Sequence, residues 1–74
     1  MVDEKKIKEV SERIVSERKR LDINQSEFAK GIGISRPAVY LYESGKRLVS
    51  TEALISMYEK YGIEPNVILG VVKD

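Results

Sequence analysis

Residues 25–44 read QSEFAKGIGISRPAVYLYES. Phe28, Ala29 and Ile32 recur at helical spacing in the first half of this stretch, and Val39 and Tyr42 do so in the second. Asn24, just upstream, has Glu27 three residues on, the pattern in which two side chains cap a helix start reciprocally. Gly31-Ile32-Gly33 holds two residues that tolerate a left-handed backbone, so the first of these helices is expected to end near Gly31. Ser35 suits the N-cap of the next helix and Gly45 the position just past its end. Pro37 then falls in the first turn, where N–H groups lack intrahelical partners, though it disfavours helical backbone at Arg36 and predicts an irregular first turn.

The helical period continues outward. Upstream, Ile7, Val10, Ile14 and Val15 form an apolar stripe on a helix from about Asp3 to Arg20. Acidic Asp3 and Glu4 open it and Arg18-Lys19-Arg20 close it, which matches the helix dipole at both ends. The run Glu4-Lys5-Lys6 reads as a solvated face. Leu21-Asp22-Ile23 is a short connection whose apolar members turn inward. Downstream, a fourth helix starts at Ser50 or Thr51 and ends before Gly62, with Ala53, Leu54, Met57, Tyr58 and Tyr61 on one face. Tyr42, Tyr58 and Tyr61 are expected in the core. A short fifth helix has Glu64 as cap and Pro65 at its first position, and Gly70 ends it. The fold class is therefore all-α, five helices in one domain over residues 1–74.

Two short helices joined by a tight glycine-containing turn form the helix-turn-helix layout. Ala29 is small where the two helices cross closely. With INQSEFAKGIGIS followed by YESGKR, the chain resembles the Xre family, the lambda-repressor-like DNA-binding domains, from about Ile7 to Leu69. The resemblance implies a regulator of transcription that binds double-stranded DNA, with the third helix in the major groove. It implies base-reading positions at Ser35, Arg36, Pro37, Tyr40 and Leu41. Arg36 is the first candidate, since a guanidinium can bond both acceptors of a guanine edge. Pro37 and Leu41 depart from the polar residues common at such positions. The resemblance further implies phosphate contacts from Gln25, Ser44, Lys46 and Arg47, and an Arg18–Glu43 pair tying the first helix to the third.

Charge supports one-sided binding. The net charge of +1 conceals +3 over residues 1–48, with eleven Lys/Arg and eight Asp/Glu, and −2 over residues 49–74, with two and four. Val67, Ile68, Leu69, Val71 and Val72 are more apolar surface than a short terminal helix easily hides, which points to a dimer seam and a palindromic operator. The expectation is thus a phage-type or restriction-control repressor acting as a homodimer.

Other classes find less support. The 74 residues contain no Cys and no His, so thiolate metal sites, disulfides and the usual neutral-pH base are excluded. No carboxylate shares a motif with a nucleophile, so no enzyme is expected, and no cofactor or small-molecule site is evident. Gly31-Ile32-Gly33 follows a helix rather than a strand, against a phosphate loop. No apolar run approaches a membrane span, so a cytoplasmic, nucleoid-associated protein is expected. Two alternatives stay open: a protein-interaction module such as an antitoxin or anti-repressor partner, motivated by apolar Pro37, Tyr40 and Leu41, and the DNA-binding part of a longer repressor.

Overall fold

The computed structural model describes residues 2–71, in which five helices follow one another: α1 (Glu4–Arg20), α2 (Gln25–Ile32), α3 (Arg36–Glu43), α4 (Thr51–Tyr61) and α5 (Pro65–Leu69). There is no strand among the described residues. Four of the five starts are fixed by a short polar side chain. Asp3 accepts from Lys6 N at 2.9 Å, Asn24 from Glu27 N at 2.8 Å, Ser35 from Ala38 N at 3.2 Å and Ser50 from Ala53 N at 3.0 Å. At α2 the box closes, with Asn24 N donating back to Glu27 Oε1 at 3.4 Å. Glu64 contributes its carbonyl to α5 but no side-chain cap, contrary to expectation. Its backbone C=O accepts from Val67 N and Ile68 N instead.

The α2–α3 segment differs from the reading in two respects. Gly31 lies inside α2, which continues to Ile32, and Gly33 takes the left-handed conformation (φ 73°) that ends the helix. Gly31 answers a packing need rather than a turn. A Cβ there would lie 2.8 Å from Cζ of Tyr61, whose ring stacks on Phe28 with centroids 5.7 Å apart. Arg36 opens α3 without irregularity, because the non-helical backbone sits at Ser35 (φ −75°, ψ 152°) and Pro37 follows in the first turn.

The core draws on every helix: Val10 and Ile14 from α1, Phe28, Ala29 and Ile32 from α2, Val39 and Tyr42 from α3, Ala53 and Met57 from α4, Ile68 from α5. Leu21 and Ile23 pack against it as expected, as do Leu54 and Tyr61. Tyr58 does not. It stands half-exposed on the outer face of α4 beside Ile55, because three residues from Ile55 and four from Leu54 place it at the edge of the buried stripe. Val49 and Ile63, which flank α4 in the loops, are buried. In contact terms, α2 packs on α3 and α4, α1 on α3 and α5, and α4 on α5. The recognition candidate α3 thus leans on α1 and α2, and leaves its opposite side open.

No helix among the described residues is long and apolar enough to cross a membrane.

Candidate nucleic-acid interface

The open side of α3 carries Arg36, Pro37 and, about one turn further on, Tyr40, all exposed and opposite buried Val39 and Tyr42. Arg36 has no hydrogen-bond or ion-pair partner among the described residues, so its five donors face solvent. Ser35, beside it, spends its hydroxyl oxygen on capping α3. Leu41 is partly buried.

The loop after α3 folds back on the helix end. Three donors converge on the Leu41 carbonyl: Lys46 N at 3.1 Å, Arg47 N at 3.2 Å and Ser44 Oγ at 3.2 Å. This carbonyl is one of the four that an α-helix leaves without an intrahelical partner at its C-terminus. Gly45 makes the turn possible with φ 77°. Ser44 also donates its N–H to Tyr40 O at 2.9 Å, so both of its donors are engaged inside the loop. The Lys46 and Arg47 side chains are exposed, and Lys46 Nζ lies 5.8 Å from the centroid of the Tyr40 ring.

Beneath this surface a polar junction joins three helices. Glu43 accepts from Arg18 Nε at 2.7 Å and Nη2 at 3.0 Å, a bidentate pair, and from Gln25 Nε2 at 3.0 Å. The third donor of Arg18, Nη1, reaches the Ile23 carbonyl at 2.8 Å, just before α2. Side chains of Arg18 and Glu43 are only 14% and 5% exposed. The hydrogen bond to Glu43 raises the Arg18 guanidinium further above its ordinary pKa, against the opposing effect of burial. Gln25 thereby has one amide hydrogen held inside the junction, and its other polar sites stay available at the N-terminus of α2, where the helix dipole favours an anion.

The C-terminal apolar residues separate. Ile68 is fully buried in the protomer's own core, which corrects its assignment to a seam surface. Leu69 is partly buried and packs on that core. Val67 is exposed, and Val71 is 66% exposed. Val72 lies outside the described residues. Two contacts escaped the sequence reading: Lys6 Nζ donates to Leu69 O at 2.8 Å, and Arg13 Nη1 reaches Ile68 O at 3.5 Å. Lys6 is therefore not a merely solvated residue. Its spacing of seven from Arg13, on the flank of the Val10 stripe, was the available signal.

These features define an all-helical domain of the helix-turn-helix class. A family model described as helix-turn-helix matches residues 14–68, and the chain belongs to that family, in its Xre, lambda-repressor-like form. The chain is 38% identical over 61 residues to antitoxin PezA of Streptococcus pneumoniae, a match covering 82% of this chain and 39% of the relative. The chain thus spans well under half the length of that curated relative. No solved structure matches it.

Proposed function

We propose that this chain is a sequence-specific transcriptional repressor that binds double-stranded DNA as a homodimer on a palindromic operator. The observation that carries the reading is the exposed, unpartnered Arg36 in the first turn of α3, beside a loop whose exposed Lys46 and Arg47 are anchored to the same helix. Arg36 reads a guanine edge in the major groove, and Ser35, Pro37 and Leu41 line the groove around it. Lys46, Arg47, Gln25 and the free N–H groups at the start of α2 meet phosphates. The two donors of Ser44 are held within the loop, so Ser44 contributes by shaping that loop rather than by its hydroxyl. The Arg18–Glu43–Gln25 junction sets the angle of α3 against α1 and α2. Exposed Val67 and Val71, with the edge of Leu69, supply the dimer seam.

Selection of bound duplexes from a random pool tests this. An enriched palindrome with half-sites about one helical turn apart, roughly 34–36 Å, is the expected outcome. Failure to enrich any sequence would remove the repressor reading.

A second reading rests on the similarity to an antitoxin. In that case the chain also holds a protein partner, and the half-exposed Ile55 and Tyr58 on the outer face of α4 are the apolar surface that remains open when α3 is on DNA. Loss of partner binding in Ile55→Lys with DNA affinity intact would favour it.

A further inference from the structure

We propose that Tyr40 is a positioning residue for the phosphate contact of Lys46, rather than a reader of bases. The inference rests on the DNA-binding reading above and deepens it. Four observations meet at one place. Tyr40 is half-exposed on α3. The Lys46 ammonium lies 5.8 Å from its ring centroid, within reach of the electron-rich face. The backbone N–H groups of Lys46 and Arg47 are both fixed on the carbonyl of Leu41, the residue after Tyr40. Ser44 locks the intervening turn from both sides, donating N–H to Tyr40 O and Oγ–H to Leu41 O.

A lysine side chain is among the most costly to immobilise, with four rotatable bonds and a strongly hydrated head. Here its backbone is already fixed by a helix carbonyl and its head by an aromatic face on the same helix. The ammonium keeps donors directed away from the ring, toward solvent, where a phosphate is met without ordering a free side chain. The ring that directs the ammonium and the helix that reads bases are one rigid piece. The phosphate contact therefore moves with α3 and fixes its register on the duplex. A ring is what this arrangement needs. The tyrosine hydroxyl has no hydrogen-bond partner among the described residues.

The test is the salt dependence of binding to a duplex from the selection above, measured by fluorescence anisotropy between 50 and 200 mM salt. Each phosphate neutralised adds about 0.9 to the slope of log affinity against log salt. Lys46→Ala removes one contact per protomer, so across that range its affinity falls about 3.5-fold less than the wild type's per protomer, or roughly 12-fold less for a dimer. Tyr40→Ala is expected to show the same flattened slope with its base preference unchanged. Tyr40→Phe keeps the wild-type slope, and the Tyr40→Ala/Lys46→Ala double variant flattens it no further than either single change. Circular dichroism checks that each variant is folded. A wild-type slope in Tyr40→Ala overturns the inference, and so does a base preference altered at one operator position with the slope intact. In either event the DNA-binding reading stands. Wild-type affinity that ignores salt removes both.

Discussion

Replacing Arg18 by Met keeps the aliphatic stem of the side chain and removes its charge and all three of its hydrogen bonds. Glu43 is then left with a single donor, Gln25 Nε2 at 3.0 Å, around a carboxylate whose side chain is 5% exposed. A solvent-exposed ion pair contributes about 0–1 kcal/mol, and a pair this deep belongs to a different class. Breaking one side of a buried pair costs about 3–5 kcal/mol, because the survivor is an uncompensated charge that water does not reach. A chain of this length holds roughly 4–11 kcal/mol of stability in total, so Arg18→Met consumes a large part of it. The midpoint of thermal unfolding is expected to fall on the order of 20 °C. Glu43→Leu is expected to cost less. The orphaned guanidinium is 14% exposed and still has the Ile23 carbonyl at 2.8 Å. The Arg18→Met/Glu43→Leu double variant, which removes both charges and fills the space, regains most of the loss, giving a coupling of roughly 2 kcal/mol or more. Urea unfolding followed by far-UV circular dichroism measures all four proteins. If both single variants lie within about 1 kcal/mol of the parent, the junction is a solvated surface pair and the reasoning from its burial is refuted.

Four further outcomes are expected. Arg36→Ala weakens binding to the selected site by about 1–3 kcal/mol and relaxes preference at one base position, leaving affinity for unrelated duplexes nearly unchanged; competitive titration with base-substituted operators reads both. Ile68→Ala destabilises the protomer by about 2–5 kcal/mol in urea unfolding, since Ile68 is fully buried. Val71→Lys, at a position 66% exposed, leaves protomer stability within about 0.5 kcal/mol but shifts sedimentation toward monomer. Gly62→Ala lowers stability by about 1–2 kcal/mol in the same melts, because φ is 69° there and no neighbouring atom lies within 4 Å to add a steric cost.

Four of the helix starts were legible because each is a local chemical event. Asp3, Asn24, Ser35 and Ser50 cap the helices that begin beside them, and a capping side chain reaches only a turn along the chain. The helical period likewise exposed most of the core within the helices. What it left out was Val49 and Ile63, both buried in loops flanking α4. A loop has no period, so burial there follows from where the chain is led rather than from spacing. Tyr58 failed for the opposite reason. It shares the helix of Met57 and Tyr61, but one residue off the centre of a stripe is a rotation of about 100°, enough to bring a large side chain out to solvent.

Gly31 and Gly33 show the limit most sharply. In sequence they are two glycines flanking one isoleucine, and either suits a helix end. Only the partner decides between them. Gly33 carries φ 73° with open space around it, whereas Gly31 is helical and lies under the ring of Tyr61, thirty residues away in sequence. The same distinction governs the site. Arg36 and the Lys46-Arg47 loop were singled out from residue type and motif position, and exposure is all that their proposed role asks of the fold. The convergence of Lys46, Arg47 and Ser44 on one Leu41 carbonyl, and of Arg18 and Gln25 on one Glu43 carboxylate, depends on three-dimensional approach. Those two acceptors do different work. The carboxylate fixes α3 against α1 and α2, and the carbonyl fixes the basic loop against α3. A change at Glu43 should therefore alter the pose of the whole reading surface, and with it stability. A change in the loop should alter phosphate contacts alone. Stability and salt slope are thus expected to vary independently across variants of the two clusters, and a variant set in which they move together would mean that the loop and the junction form a single unit.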